Sequence, residues 1–214
     1  MIPVFLQIGI LIPETIGREG VAMRKFNITG LCVPHMHYMV DISAKINEIT
    51  QMVDEGLYFT INRARQYGKT TTLTLLGNRL KEKYVVPQLS FEGLGDYPFE
   101  SEKNFCGKFA DIFARSLVSI DYGEDNLDTW KTNRPETMDD LGVAITNFCK
   151  ASPLPVLLTI DEVDKSSNNQ VFLNFLGLLR NKYLLRSAGK DTTFHSVILA
   201  GVYDVKNLKR KITG

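Results

Sequence analysis

Two short stretches of this sequence bring together residue types that handle phosphate. The first is Gly68-Lys69-Thr70. A glycine lets backbone N–H groups approach a phosphate closely, a lysine reaches it with a mobile positive charge, and a threonine hydroxyl can bind magnesium. The second is Leu157-Leu158-Thr159-Ile160-Asp161-Glu162, four mostly apolar residues that end in two acids. An acidic pair at the end of a buried strand lies where open α/β sheets bind ligands. Asp161 can hold magnesium through water, and Glu162 can act as general base on an attacking water. These roles make Glu162 and Lys69 the catalytic candidates, and Thr70 and Asp161 the metal-binding ones.

The window before the lysine reads Arg63-Ala64-Arg65-Gln66-Tyr67-Gly68, so Arg63 stands where a P-loop usually has its first glycine. Arg63 and Arg65 either hold the loop or approach phosphate. The expected nucleotide-binding set is Arg65, Gln66, Tyr67, Gly68, Lys69, Thr70 and Thr71. A bare Gly-Lys-Thr also recurs by chance, and an acidic pair also occurs at ordinary surface turns. Placement is what adds weight. An apolar strand precedes the tripeptide, an amphipathic helix follows it, and the acidic pair comes about 90 residues later.

The elements that must position these residues alternate between strand-like and helix-like patterns, which reads as α/β with a mainly parallel sheet. Ile42, Ile46, Ile49 and Val53 recur at helical spacing after the candidate cap Asp41, and Gly56 ends that helix. Leu57–Ile61 reads as a strand, and Thr70–Tyr84 as a helix. Val85–Phe91 reads as a further strand, weakened by Pro87. Ser101–Ile120 is a helix with Phe105, Phe109, Ile112 and Leu117 on one stripe. Asp121–Arg134 is polar and loop-like despite Trp130. Thr137 and Asp140 approximate a capping box for the next helix. Pro155–Ile160 is a strongly apolar strand, Val171–Tyr183 a helix, and Phe194–Ala200 the last strand.

With these residues in view, the chain resembles the bacterial AAA-ATPase-like family of P-loop proteins, which is related to the signalling ATPases with numerous domains. The resemblance rests on the Arg-x-Arg-x-x-Gly-Lys-Thr form of residues 63–70, on Leu158–Asp164, and on Val197–Asp204 as a fourth core strand. It covers roughly residues 25–210. It implies a P-loop three-layer sandwich that binds ATP with Mg2+, with the P-loop strand central and the acidic strand beside the fourth. It also implies a protein partner or a further C-terminal domain, often restriction-nuclease-like. Against that pattern the chain is expected to be incomplete, stopping before the last core strand. Tyr203 and Asp204 are the nearest candidates for a polar sensor, and Arg180 and Arg186 for an arginine finger. His37–Val40 are placed by the resemblance near the adenine.

Composition bounds the alternatives. The chain has 214 residues, enough for one domain with a real core, and a formal net charge of +1 that argues for neither nucleic acid nor membrane. Its three cysteines, Cys32, Cys106 and Cys149, are widely spaced and read as small buried hydrophobes of a cytoplasmic protein. No apolar run is long enough to span a membrane. Residues 1–22 are expected to be translated leader, with Met23 as initiator, residues 23–56 an N-terminal segment and helix, and residues 57–214 the nucleotide-binding core. His35, His37 and His195 read as structural, Glu92 as a solvated strand end, and Lys206, Lys209, Arg210 and Lys211 as a solvated helix face. Two functions remain open: an ATPase, or a nucleotide-dependent switch with little turnover. A GTPase is disfavoured because no Asn-Lys-x-Asp motif occurs. The Asp-Glu pair favours water over a substrate hydroxyl as nucleophile, against a small-molecule kinase.

Overall fold

The computed structural model describes residues 42–62, 69–123, 130, 132–163 and 169–201. Helix α1 spans Ser43–Asp54 and buries Ile46, Ile49 and Val53, as their three- and four-residue spacing requires. Its N-cap position is Ile42, which makes no side-chain cap bond, and the expected cap Asp41 lies outside the described residues. Gly56 ends the helix with φ at +69°, a conformation that costs other residues a Cβ clash. Strand β1, Tyr58–Asn62, leads toward helix α2, Lys69–Leu80. Helix α2 stops one turn before the expected Tyr84. The Leu80 carbonyl there accepts from both Lys83 and Tyr84 N–H at 2.9 Å and turns the chain back.

Strand β2 is only Gln88–Ser90, shorter than the expected Val85–Phe91. Pro87 has no N–H to give the ladder, so Val85 remains as an isolated bridge to Val156. Helix α3, Glu102–Ser119, follows a 3-10 turn at Tyr97–Phe99, and Ser101 caps it by accepting from Asn104 N–H at 3.2 Å. Helix α4, Met138–Ala151, begins with a complete capping box between Thr137 and Asp140. Strand β3 is Leu157–Asp161, helix α5 is Gln170–Ser187, and strand β4 is Ser196–Gly201.

The four strands form one all-parallel sheet in the order β1-β4-β3-β2. The acidic strand β3 therefore lies beside β4 as expected, whereas β1, expected to be central, is an edge strand among the described residues. Side chains alternate across the sheet. Leu157, Ile198 and Ala200 face α1 and α2, while Leu158, Ile160, Val197 and Leu199 face a larger, aromatic-rich core with α3, α4 and α5. Helices thus cover both faces, and the inner strands β3 and β4 are buried at every position. Trp130 belongs to this larger core at 1% exposure, packed 4.5 Å from Phe113 between ring centroids. The polar, loop-like reading of Asp121–Arg134 fails at this residue, because a large indole gains more by burial against aromatic neighbours than by exposure.

Candidate functional site

Strand direction and face decide which side chains can meet. In β3, Leu157, Thr159 and Asp161 share the face that packs on α2, so Asp161 ends the strand on the α2 side. Helix α2 starts at Lys69, and its first turn carries Lys69, Thr70, Thr71 and Thr72. These two facts bring Thr70 to Asp161. The Thr70 hydroxyl donates to Asp161 Oδ2 at 2.6 Å, across 91 residues of sequence. Asp161 is 6% exposed, and its second oxygen, Oδ1, accepts from the Glu162 N–H at 2.9 Å. Both oxygens of this buried carboxylate are therefore engaged.

Glu162 follows in the left-handed region, with φ at +58°. This conformation is costly for a residue with a Cβ, and it turns the chain sharply at the end of β3. Glu162 is half-buried, between the buried Asp161 and Val163. Lys69 is 6% exposed, and Thr71 is buried beside it at 7%. The neighbouring strands contribute differently. On β2, Ser90 is in register with Asp161, and its hydroxyl accepts from Glu92 N–H at 3.0 Å. On β4, Ile198 pairs with Thr159, which puts the buried Ala200 level with Asp161.

Among the expected site residues, Lys69, Thr70, Thr71, Asp161 and Glu162 fall at the carboxyl ends of the strands, where α/β sheets hold ligands. Arg63, Arg65, Gln66, Tyr67 and Gly68 lie outside the described residues, as do His35, His37–Val40, Asp164, Tyr203, Asp204 and the basic residues from Lys206 to Lys211. Glu92 is exposed on the turn after β2. Arg180 is exposed on α5 and walls a groove with Tyr58 and Leu184.

Arg186 requires a correction. Its guanidinium donates to the carbonyls of Gly56 and Phe194 at 2.5 and 2.7 Å, and also to that of His195. It lies over the rings of Tyr58 and Tyr183 at 5.4 and 5.3 Å. All its carbonyl partners precede β1 or β4, at the end of the sheet opposite Asp161. Arg186 is thus a structural clamp rather than an arginine finger. His195 is structural as expected, stacked on Tyr84 at 5.3 Å. Burial and the Arg186 charge hold its imidazole below the usual histidine range.

Thr70 and Asp161 supply one hydroxyl and one carboxylate at a single locus. Both are hard oxygen donors, which suits magnesium, an ion that keeps several waters and takes further oxygens from a phosphate ligand. Among the described residues no group of three or more His, Cys, Asp or Glu that could hold a metal ion gathers. No family model matches the chain, and no curated protein matches it.

Proposed function

We propose that this chain is a P-loop domain that binds ATP with Mg2+ and hydrolyses it. The observation that carries this reading is the 2.6 Å bond between Thr70 and Asp161. It joins the helix start that follows the Gly-Lys-Thr motif to the acidic end of a buried strand. Those are the two places a magnesium-bound triphosphate needs hydroxyl and carboxylate oxygens. The α2 N-terminus adds its positive dipole end, and Lys69 sits on that first turn to reach the β- and γ-phosphates. Thr70 and Asp161 would hold magnesium, directly and through water. When bound, that ion neutralises phosphate charge. Glu162 takes the proton from the attacking water as its oxygen bonds to the γ-phosphorus. The bridging P–O bond breaks, and ADP and inorganic phosphate leave.

One strand neighbourhood, β3 beside β4, is the one the family resemblance implies. The resemblance brings a cytoplasmic location and a protein partner or further domain into the same proposal. Among the described residues no helix is long and apolar enough to cross a membrane.

One observation favours the second reading, a nucleotide-dependent switch with little turnover. The strand lying between β1 and β3 presents Ala200 at the level of Asp161, so β4 offers no polar side chain there. Two measurements decide. Titration with ATP and magnesium should show saturable binding that drops by about a hundredfold in Lys69→Ala, the order expected when a charged phosphate contact is lost. Unchanged affinity would remove the cradle from consideration. Phosphate release that vanishes in Glu162→Gln supports the ATPase. Binding without release in either protein supports the switch.

A further inference from the structure

The sheet keeps an open edge at β2, which pairs only with β3 among the described residues. The bonds to β3 use alternate residues. The carbonyls of Val85 and Pro87 accept from Leu157 and Thr159 N–H at 2.8 and 3.1 Å, and Phe91 N–H donates to the Asp161 carbonyl at 3.0 Å. In a parallel ladder the N–H and C=O of one residue point the same way, and its neighbours point the other way. Gln88 and Ser90, both exposed, therefore direct their backbone polar groups outward, away from β3. Such an edge is a template for one more strand.

Two helices wall the space beside it. A cleft of about 580 Å3 lies against Gly77 and Asn78 of α2 and Lys81 in the turn that follows it. A second, of about 510 Å3, lies against Lys108, Ile112 and Arg115 of α3. Gln88 and Ser119 line both clefts, so together they form a slot along the strand. The slot is positive along its sides. Lys81 stands just past the end of α2 on one wall, and Lys108 and Arg115 on the α3 wall. None of the three takes part in an ion pair among the described residues. Among the described residues Arg115 bonds to the Asp111 carbonyl of its own helix, through Nε at 3.3 Å. The anions are at the ends, with Glu92 just past β2 and Asp121 in the turn after α3.

We propose that the outer edge of β2 takes up an extended acidic segment of a partner protein as an additional parallel or antiparallel strand. Backbone bonds to Gln88 and Ser90 would supply the pairing. Successive carboxylates, pointing to opposite faces of the added strand, would meet Lys81 on one wall and Lys108 and Arg115 on the other. The proposal is independent of the nucleotide reading, because none of these side chains holds phosphate in that reading.

The test uses the full chain and two short fluorescent peptides, one repeating Glu-Glu-Val and the other Lys-Lys-Val, so that charges fall on both faces of an extended segment. Anisotropy should show saturable binding of the acidic peptide, weakened by added salt. The Lys108→Glu, Arg115→Glu double variant should weaken it by about tenfold, the order two exposed ion pairs can contribute. Gln88→Pro removes one outward N–H while leaving the bonds to β3 in place, and should weaken it further. Circular dichroism checks that each variant is folded. Absence of binding, equal binding of the two peptides, or indifference to the charge reversal would each overturn the proposal. So would a dimer in sedimentation that Gln88→Pro abolishes, since the edge would then belong to a second copy of the chain.

Discussion

At the scale of single residues, the Asp161 carboxylate is the pivot. It is buried, and among the described residues it accepts from the Thr70 hydroxyl and the Glu162 N–H. Thr70→Val keeps the shape of the side chain and removes one donor. Leaving a buried acceptor unsatisfied costs about 1–3 kcal/mol, so urea unfolding should register a loss of that order. In the same variant, the magnesium-dependent part of ATP affinity should fall while magnesium-free binding persists. Loss of both together would mean that Thr70 serves the loop rather than the metal. Glu162 makes the complementary case. Its φ of +58° suits glycine far better than a residue with a Cβ. Glu162→Gly should therefore raise stability by about 1 kcal/mol while ending phosphate release. Glu162→Gln should leave stability alone and end release just the same. A strained acid at a strand end fits a site where position matters more than local stability. If Glu162→Gly melts below the parent, the strain argument fails.

At the scale of elements, helices α4 and α5 are tied to the segment before β4 by a buried polar cluster. Lys182 of α5 bonds Asp191 at 2.8 Å and also Thr146 of α4, and the Thr146 hydroxyl donates to Asp191 at 2.9 Å. Burial works to raise the Asp191 pKa, but bonds from Lys182, Thr146 and the Thr192 N–H outweigh it and hold the carboxyl below its usual range. The folded state thus binds this proton more weakly than the unfolded state. The cluster's contribution is complete above the unfolded value of about 4 and is lost as pH falls through the lower folded value. Urea unfolding in acid should show this loss in the parent and a flatter dependence in Asp191→Asn. The cluster was not legible in the sequence, since nothing local marks Lys182 as buried. The elements it ties together were. The apolar run ending in Asp161-Glu162 announced β3, the stripe through Phe105 and Phe109 announced α3, and Thr137 with Asp140 announced the start of α4. Errors came where a tertiary partner overrules local chemistry. Pro87 shortened β2 because its missing N–H matters only once β3 is alongside, and Trp130 entered the core because Phe109, Phe113 and Phe148 receive it.

At the scale of the whole molecule, the sheet has two chemically different ends. At the carboxyl end of β3, strain, a doubly bonded carboxylate and a helix N-terminus gather at Asp161. At the opposite end, Arg186 closes the starts of β1 and β4 by donating to Gly56, Phe194 and His195. The pairing of Thr70 with Asp161 could be anticipated because each residue carries a motif, whereas the Arg186 clamp could not, because its partners are plain carbonyls as far as 130 residues away. The separation of the two ends makes a sharp prediction. Arg186→Lys keeps the charge but loses the planar fork that reaches several carbonyls at once. It should cost about 2 kcal/mol in unfolding free energy, since at least one buried carbonyl is left unpaired. The variant should also bind ATP with magnesium as the parent does, because the clamp sits at the end of the strands away from Asp161. Measured side by side, unfolding and nucleotide titration separate the two roles. Undiminished stability with lost phosphate release would instead move Arg186 into the reaction and require β1 and β4 to be held at their starts by something else.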